Sequence, residues 1–119
     1  MSDELFDDKL LDILESIDIV LKRTEHISTP EYFLKDDNAI ILFDSVLMRL
    51  QAIGEMLKSL TSKTDIYSEN IRGAIKLREK ISHHYLDLDA ELIFDVCKNH
   101  IPNLKNELEN IKKFPTKPQ

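Results

Sequence analysis

Apolar residues recur every three or four positions through most of this 119-residue sequence, and this period constrains the fold more than any other feature. An α-helix with one buried face has this period, whereas a half-buried strand alternates at every second residue. Two glycines and four prolines are few for a chain of this length. All-β folds need many turns, which are rich in these residues, so the sequence predicts an all-α protein.

The pattern predicts four long helices: one over 3–27, one over 38–60, one from Ser68 to a break at 86–89, and one from there to about 113. A short helical turn is predicted over 31–35. Pro102 lies inside the last pattern, so we expect a kink near His100. Long helices with short connections are typical of an antiparallel four-helix bundle. We expect one domain over 1–113 and a frayed tail over 114–119.

Composition excludes several classes of protein. The net charge of −6 argues against nonspecific nucleic-acid binding through bulk charge. Residues 63–85 nevertheless carry more basic than acidic side chains, which permits a phosphate-containing ligand. The sequence contains no export signal and no apolar run of the ~20 residues that a membrane span needs, so we expect a cytoplasmic protein. The single Cys97 fits a reducing compartment and is expected to be a buried structural thiol.

The end of the third helix has the highest density of chemically reactive side chains. Arg78, His83, His84 and Tyr85 lie within eight residues. At about 100° per residue, Arg78 falls about 20° from Ile71, within the apolar face. Tyr85 would also fall within that face if the helix continued to it. The two histidines can be general acids or bases, but they can equally stabilise the helix C-terminus.

An arginine on a core-facing stripe is costly without a partner, so Arg78 must reach water, face a cleft or pair with a carboxylate. Asp44, Glu55 and Asp89 are the candidate partners. Gly54 precedes Glu55 inside the second helix, where glycine costs about 1 kcal/mol relative to alanine. It predicts that another helix or a ligand approaches closely there.

Three motifs in this order resemble those of the HepT-like HEPN family. The first is Arg78, then His83 after four residues, Tyr85, and Asp89 opening a helix; the others are the Ile-Gly-Glu segment within 52–58 and the proline-interrupted segment 98–105. The resemblance extends over roughly residues 5–113. It implies a HEPN-like bundle that forms a homodimer with the Arg and His motifs near a shared cleft.

The resemblance also implies a function. Active members of the family are metal-independent endoribonucleases with no cofactor, and HepT-like ones are toxins encoded beside a minimal nucleotidyltransferase antitoxin. That antitoxin attaches AMP to the motif tyrosine, here Tyr85. By matching the family motif to this sequence, the resemblance assigns Arg78 to phosphate and transition-state binding and His83 to acid–base catalysis of RNA cleavage. His84 and Glu55 are alternative or auxiliary site residues.

The sequence departs from the family pattern in three respects. Glu79 stands where the family often has asparagine, the chain has no tryptophan, and His84 directly follows His83. Glu79 and the acidic charge keep a second reading open, in which the chain is a non-catalytic subunit that presents a nucleotide to a nucleotidyltransferase. A third reading is a helical dimer with a scaffolding role.

Overall fold

The computed structural model describes residues 3–113, which contain helices and no strand. Helix α1 spans Asp3–Thr24, α2 spans Asp37–Thr61 and α3 spans Glu69–His84. Helix α4 (Ala90–Asp95), a π-helical segment (Val96–His100) and α5 (Ile101–Lys113) follow one another without a break, and short 3₁₀ helices occupy Pro30–Leu34 and Tyr85–Asp87. The predicted all-α bundle is confirmed.

Polar side chains cap the first turn of three helices. Asp36 Oδ1 accepts a hydrogen bond from the Ala39 amide at 2.8 Å at the start of α2. Ser68 caps α3 and Asp89 caps α4 in the same way. Each cap satisfies an amide that has no partner inside the helix, at a typical gain of about 1 kcal/mol.

Helix α1 ends at Thr24, three residues before the predicted end at 27. Ile27 is nonetheless almost fully buried, because the loop folds back and the Ile27 amide donates to the Thr24 carbonyl at 3.1 Å. Lys98 Nζ donates to the same carbonyl at 2.7 Å. The apolar Ile27, which is buried in the loop, therefore made the predicted helix three residues too long.

The last helix passes Pro102 by widening its turn just before it. Proline has no amide hydrogen, and its ring clashes with the carbonyl four residues earlier in a regular helix. In the π-helical segment the Ile101 amide instead donates to the Val96 carbonyl, five residues earlier. The predicted interruption near His100 is this π turn.

The four helical rods do not close the bundle evenly. Helix α2 packs against α3 on one side and against α1 on the other, and α1 also packs against α5. Helices α3 and α5 touch each other only slightly. The core lies between them and contains buried residues of all the long helices: Leu10, Ile13, Ile17, Val20, Val46, Leu47, Leu50, Ile53, Leu57, Leu60, Ile71, Ile81, Ile93, Leu104 and Leu108.

Within residues 3–113, no helix combines the length and the apolar character needed to cross a membrane. The predicted tail over 114–119 lies outside the described residues, and the single domain over 1–113 stays a prediction.

Candidate active site

Gly54 sets the distance between α2 and α3. It is buried, and a Cβ added to it would overlap Arg78 Cβ and lie 2.8 Å from the Ala74 carbonyl oxygen. No side chain larger than hydrogen fits there unless the helices move apart. The close helix approach predicted from this glycine is thus present, and the group that comes closest is the stem of Arg78.

Glu55 holds the guanidinium of Arg78. Arg78 Nη2 donates to Glu55 Oε2 at 2.8 Å, across the seam between α3 and α2. The Arg78 side chain is 23% exposed and that of Glu55 is 57% exposed, so the pair lies at the surface edge of the core. Of the three candidate carboxylates, Glu55 is therefore the partner.

The Arg78 Nε atom is buried and has no hydrogen-bond partner among residues 3–113. A buried donor without an acceptor costs about 1–3 kcal/mol, so native structures rarely keep one without a reason. The planar guanidinium presents its N–H groups as a fork that matches the oxygens of a phosphate. Nη2 is held by Glu55, and the other terminal nitrogen, Nη1, has no hydrogen-bond partner among the described residues.

Two further pairs of polar residues lie between α2 and the end of α3. Gln51 Nε2 donates to Ser82 Oγ at 3.0 Å. Beyond it, Asp44 of α2 faces the Tyr85 phenol; the hydrogen bond to Asp44, desolvation and the Asp44 charge together raise the pKa of Tyr85. Two hydrogen-bonded pairs, Arg78–Glu55 and Gln51–Ser82, and the neighbouring Asp44 and Tyr85 thus follow the boundary between α2 and the end of α3, and we call this set the polar seam.

Both members of the Arg78–Glu55 pair were predicted from the sequence as site residues, whereas the other two pairs were predicted only in part. Gln51 and Ser82 were not singled out, and Asp44 was considered only as a partner of Arg78. Their spacing contains the signal: 44, 51 and 55 lie on one face of α2, since seven residues make about two helical turns. Asp89 instead caps α4.

Tyr85 does not continue the apolar face of α3. The helix ends at His84, whose φ of −133° and ψ of 35° are not helical, and a 3₁₀ turn begins at Tyr85. Tyr85 is 45% exposed, and the adjacent Leu86 is 91% exposed. The projection from α3 placed this tyrosine in the apolar arc, and the end of the helix moves it to the surface.

His83 and His84 lie in the last turn of α3, and both are exposed. Neither imidazole has a hydrogen-bond or ion-pair partner in the described part of the chain. At about 100° per residue, His83 projects about 140° from Arg78 and His84 about 120° from it. The structure therefore joins Arg78 to Glu55 and Tyr85 to Asp44, but it brings neither histidine into contact with Arg78.

The two remaining histidines and the cysteine have structural partners. His26 Nε2 lies 3.1 Å from Tyr32 Oη, and His100 Nε2 lies 3.1 Å from Asp95 Oδ2. Cys97 is buried as expected, and its burial raises the pKa of the thiol to about 12. Among residues 3–113, no three His, Cys, Asp or Glu side chains cluster as metal ligands would.

Comparison with known proteins places the chain in a family. It matches the model of the family described as "Ribonuclease HepT-like" over residues 13–111. It is 33% identical over 106 residues to "Putative RNase MJ0127" of Methanocaldococcus jannaschii, an overlap of 87% of this chain and 84% of the relative. It is 30% identical over 108 residues to "Probable ribonuclease HepT" of Thermococcus cleftensis, covering 89% and 94%. No solved structure matches it significantly. The chain therefore belongs to the HepT-like ribonuclease family, which confirms the family and the ribonuclease type of enzyme that its motifs predict.

Proposed function

We propose that this protein is a metal-independent endoribonuclease that cleaves RNA by attack of the 2′-hydroxyl on the adjacent phosphorus. The observation that carries the proposal is the Arg78–Glu55 pair, which holds a guanidinium at the surface edge of the core, together with an exposed His83 at the end of the same helix. RNA is the substrate of the enzyme type to which the family belongs. These residues supply a phosphate-binding cation and an acid–base group.

The chemistry divides between the two side chains. The 2′-oxygen bonds to phosphorus as its proton passes to a base, and the bond to the 5′-oxygen breaks as an acid protonates that oxygen. A histidine with a pKa near neutrality can take either role. The phosphorane carries extra negative charge that Arg78 stabilises through paired hydrogen bonds. Glu55 orients the guanidinium and is a positioning residue.

The site is completed in a homodimer. Met48 of α2, one helical turn from Asp44, is 73% exposed, and Leu86, next to Tyr85 in the chain, is 91% exposed. Large exposed apolar side chains that cluster on a surface mark an interaction site. Pairing two protomers through this surface covers these side chains and brings the imidazole of one protomer toward the Arg78 of the other. This removes the difficulty that Arg78 and His83 project in different directions from α3.

Cleavage of single-stranded RNA in the presence of EDTA tests the assignment. His83→Ala is expected to lower kcat by about 100-fold or more, which is the usual contribution of a general acid or base. His84→Ala tests the alternative site residue and is expected to stay within about threefold of the wild type. Products should carry a 2′,3′-cyclic phosphate and a 5′-hydroxyl. Equal activity of wild type and His83→Ala, or dependence on added metal, would overturn the proposal.

We infer that the protein is the toxin of a pair and that a nucleotidyltransferase partner neutralises it at Tyr85. The Tyr85 oxygen would bond to the α-phosphorus of ATP while pyrophosphate leaves, and Asp44 is placed to accept the phenolic proton. Tyr85 is exposed enough for a second protein to reach it. Co-expression with a minimal nucleotidyltransferase of this type should add one AMP to the wild type and none to Tyr85→Phe, as measured by intact mass.

A non-catalytic subunit that presents a nucleotide to a nucleotidyltransferase is the second candidate. The observation that favours it is that Glu55 already neutralises Arg78, with Glu79 exposed one residue away. Expression of the chain alone discriminates between the two functions. Growth arrest that His83→Ala relieves supports the ribonuclease, whereas normal growth with retained nucleotide binding supports the second candidate.

A further inference from the structure

The open side of the bundle forms a groove that the polar seam does not use. Helices α3 and α5 barely touch, and a cavity of about 430 Å³ lies between α3 and the last helix, with α2 beneath it. Leu50 and Ile53 of α2 form its buried floor, and Leu77 and Leu104 contribute to its walls. Neither Arg78, Glu55 nor either motif histidine lines it.

Gly73 keeps the groove open along α3. A Cβ added to Gly73 would meet no atom within 4 Å, in contrast to Gly54. Packing therefore does not require glycine at 73, although glycine weakens a helix interior. Gly73 lines the groove, so a larger side chain there would occupy the space directly.

Two lysines supply positive charge at the rim of the groove. Lys76 and Lys80 both line it, and neither forms an ion pair with another of the described residues. Like charges four residues apart on a helix repel each other, so this pair weakens α3 in the absence of an anion. Two other polar residues of the lining already have partners: Glu69 lies 3.6 Å from Arg72, and His100 Nε2 lies 3.1 Å from Asp95 Oδ2.

The groove and His83 lie on the same side of α3. At about 100° per residue, Lys76 projects about 20° and Lys80 about 60° from His83, whereas Arg78 points away from all three. Lys80 is also about 5 Å from His83 along the helix axis, since each residue rises about 1.5 Å. A strand that places a phosphate beside His83 thus passes the two lysines on its way into the groove.

We propose that this groove binds an unpaired nucleotide of the RNA strand next to the cleavage position, and this inference rests on the proposed ribonuclease function. The base lies on the apolar floor, and its phosphates contact Lys76 and Lys80. The volume and the apolar lining suit a small organic ligand, and the cationic rim selects one that carries phosphate. The groove therefore determines which nucleotides flank the cut, while Arg78 and His83 perform it.

Binding of a fluorescein-labelled 2′-O-methyl hexanucleotide, measured by fluorescence anisotropy, tests the groove directly. This probe has no 2′-hydroxyl nucleophile, so binding is measured whether or not the protein cleaves RNA. Gly73→Leu fills the groove and should weaken binding about tenfold, whereas its matched control Gly73→Ala should stay within about twofold of the wild type. Equal affinities of these two variants, or no binding by the wild type, would overturn the proposal.

The lysine pair gives a second test that does not depend on how Gly73→Leu folds. Lys76→Gln combined with Lys80→Gln should weaken binding about tenfold. It should also reduce the slope of log K against log salt concentration by about one to two, because one or two phosphate contacts are lost. Lys22→Gln combined with Lys63→Gln changes the same charge away from the groove and should have less than a threefold effect. If the two double variants bind equally, the groove does not hold the strand. Absence of RNA cleavage by the wild type would refute the ribonuclease proposal separately.

Discussion

The two glycines of the chain allow a matched test of how α3 is placed. Gly54→Ala adds a Cβ that overlaps Arg78 Cβ and lies 2.8 Å from the Ala74 carbonyl oxygen, whereas Gly73→Ala adds one that meets nothing within 4 Å. Both replacements gain helix propensity of about 1 kcal/mol. The substitution is the same, so the difference between the variants isolates the contact between α2 and α3.

The expected difference follows from the cost of overpacking. Forcing an extra methyl group into a filled contact typically costs about 1–3 kcal/mol, and here one of the opposing atoms is backbone, which cannot rotate away. After the gain in propensity, Gly54→Ala should lower the free energy of unfolding by up to about 2 kcal/mol. Gly73→Ala should raise it by up to about 1 kcal/mol, because its Cβ is unopposed.

Urea unfolding followed by circular dichroism measures both values, and RNA cleavage by the folded proteins measures the effect on the site. Gly54→Ala should also reduce cleavage, since moving α3 displaces the stem of Arg78. The reasoning is refuted if Gly54→Ala proves as stable as Gly73→Ala. It is also refuted if Gly54→Ala is destabilised yet cleaves RNA at the wild-type rate in conditions where it is fully folded.

Three further outcomes are expected. Glu55→Gln keeps the shape of the side chain but removes the charge that orients Arg78, so kcat in the cleavage assay should fall about tenfold with a smaller change in KM. Asp44→Asn should lower the pKa of Tyr85 toward its ordinary value, because a negative hydrogen-bond acceptor is lost; ring-proton shifts across a pH titration report this, and an unchanged pKa would contradict the pairing. Cys97, with its pKa raised from 9.0 to about 12, should not react with a thiol reagent at pH 8 until the chain is unfolded, and its contribution to stability should be present below about pH 9 and lost as pH rises toward 12.

The sequence predicted features that depend on short-range rules. The start of α3 at the Ser68 cap follows from local hydrogen bonding, and the interruption before Pro102 follows from the missing amide. Arg78 on the inner face of α3 follows from helical periodicity. Each of these depends on residues within two helical turns of one another.

Features that depend on how two helices align were beyond the sequence. Three carboxylates could have paired with Arg78, and the choice of Glu55 is set by the register between α2 and α3. Periodicity within one helix carries no information about that register. Tyr85 was placed on the apolar face because the projection assumed a continuing helix, but α3 ends at His84. The groove was also missed, since the separation of α3 from α5 is a property of the assembled bundle.

Helix α3 faces α2 on one side and α5 on the other, and a glycine lies at each of the two faces. On one face, Gly54 lets α2 approach until Arg78 lies against its backbone, which fixes the guanidinium within reach of Glu55. On the other face, Gly73 adds no side chain toward α5, and a cavity remains where a leucine would have filled it. Tight packing on the first face makes Arg78, the proposed phosphate-binding group, rigid, as transition-state stabilisation requires. Loose packing on the second face leaves room for the RNA strand that we propose binds there. The proposed phosphate-binding residue and the proposed strand-binding groove therefore lie on opposite sides of α3.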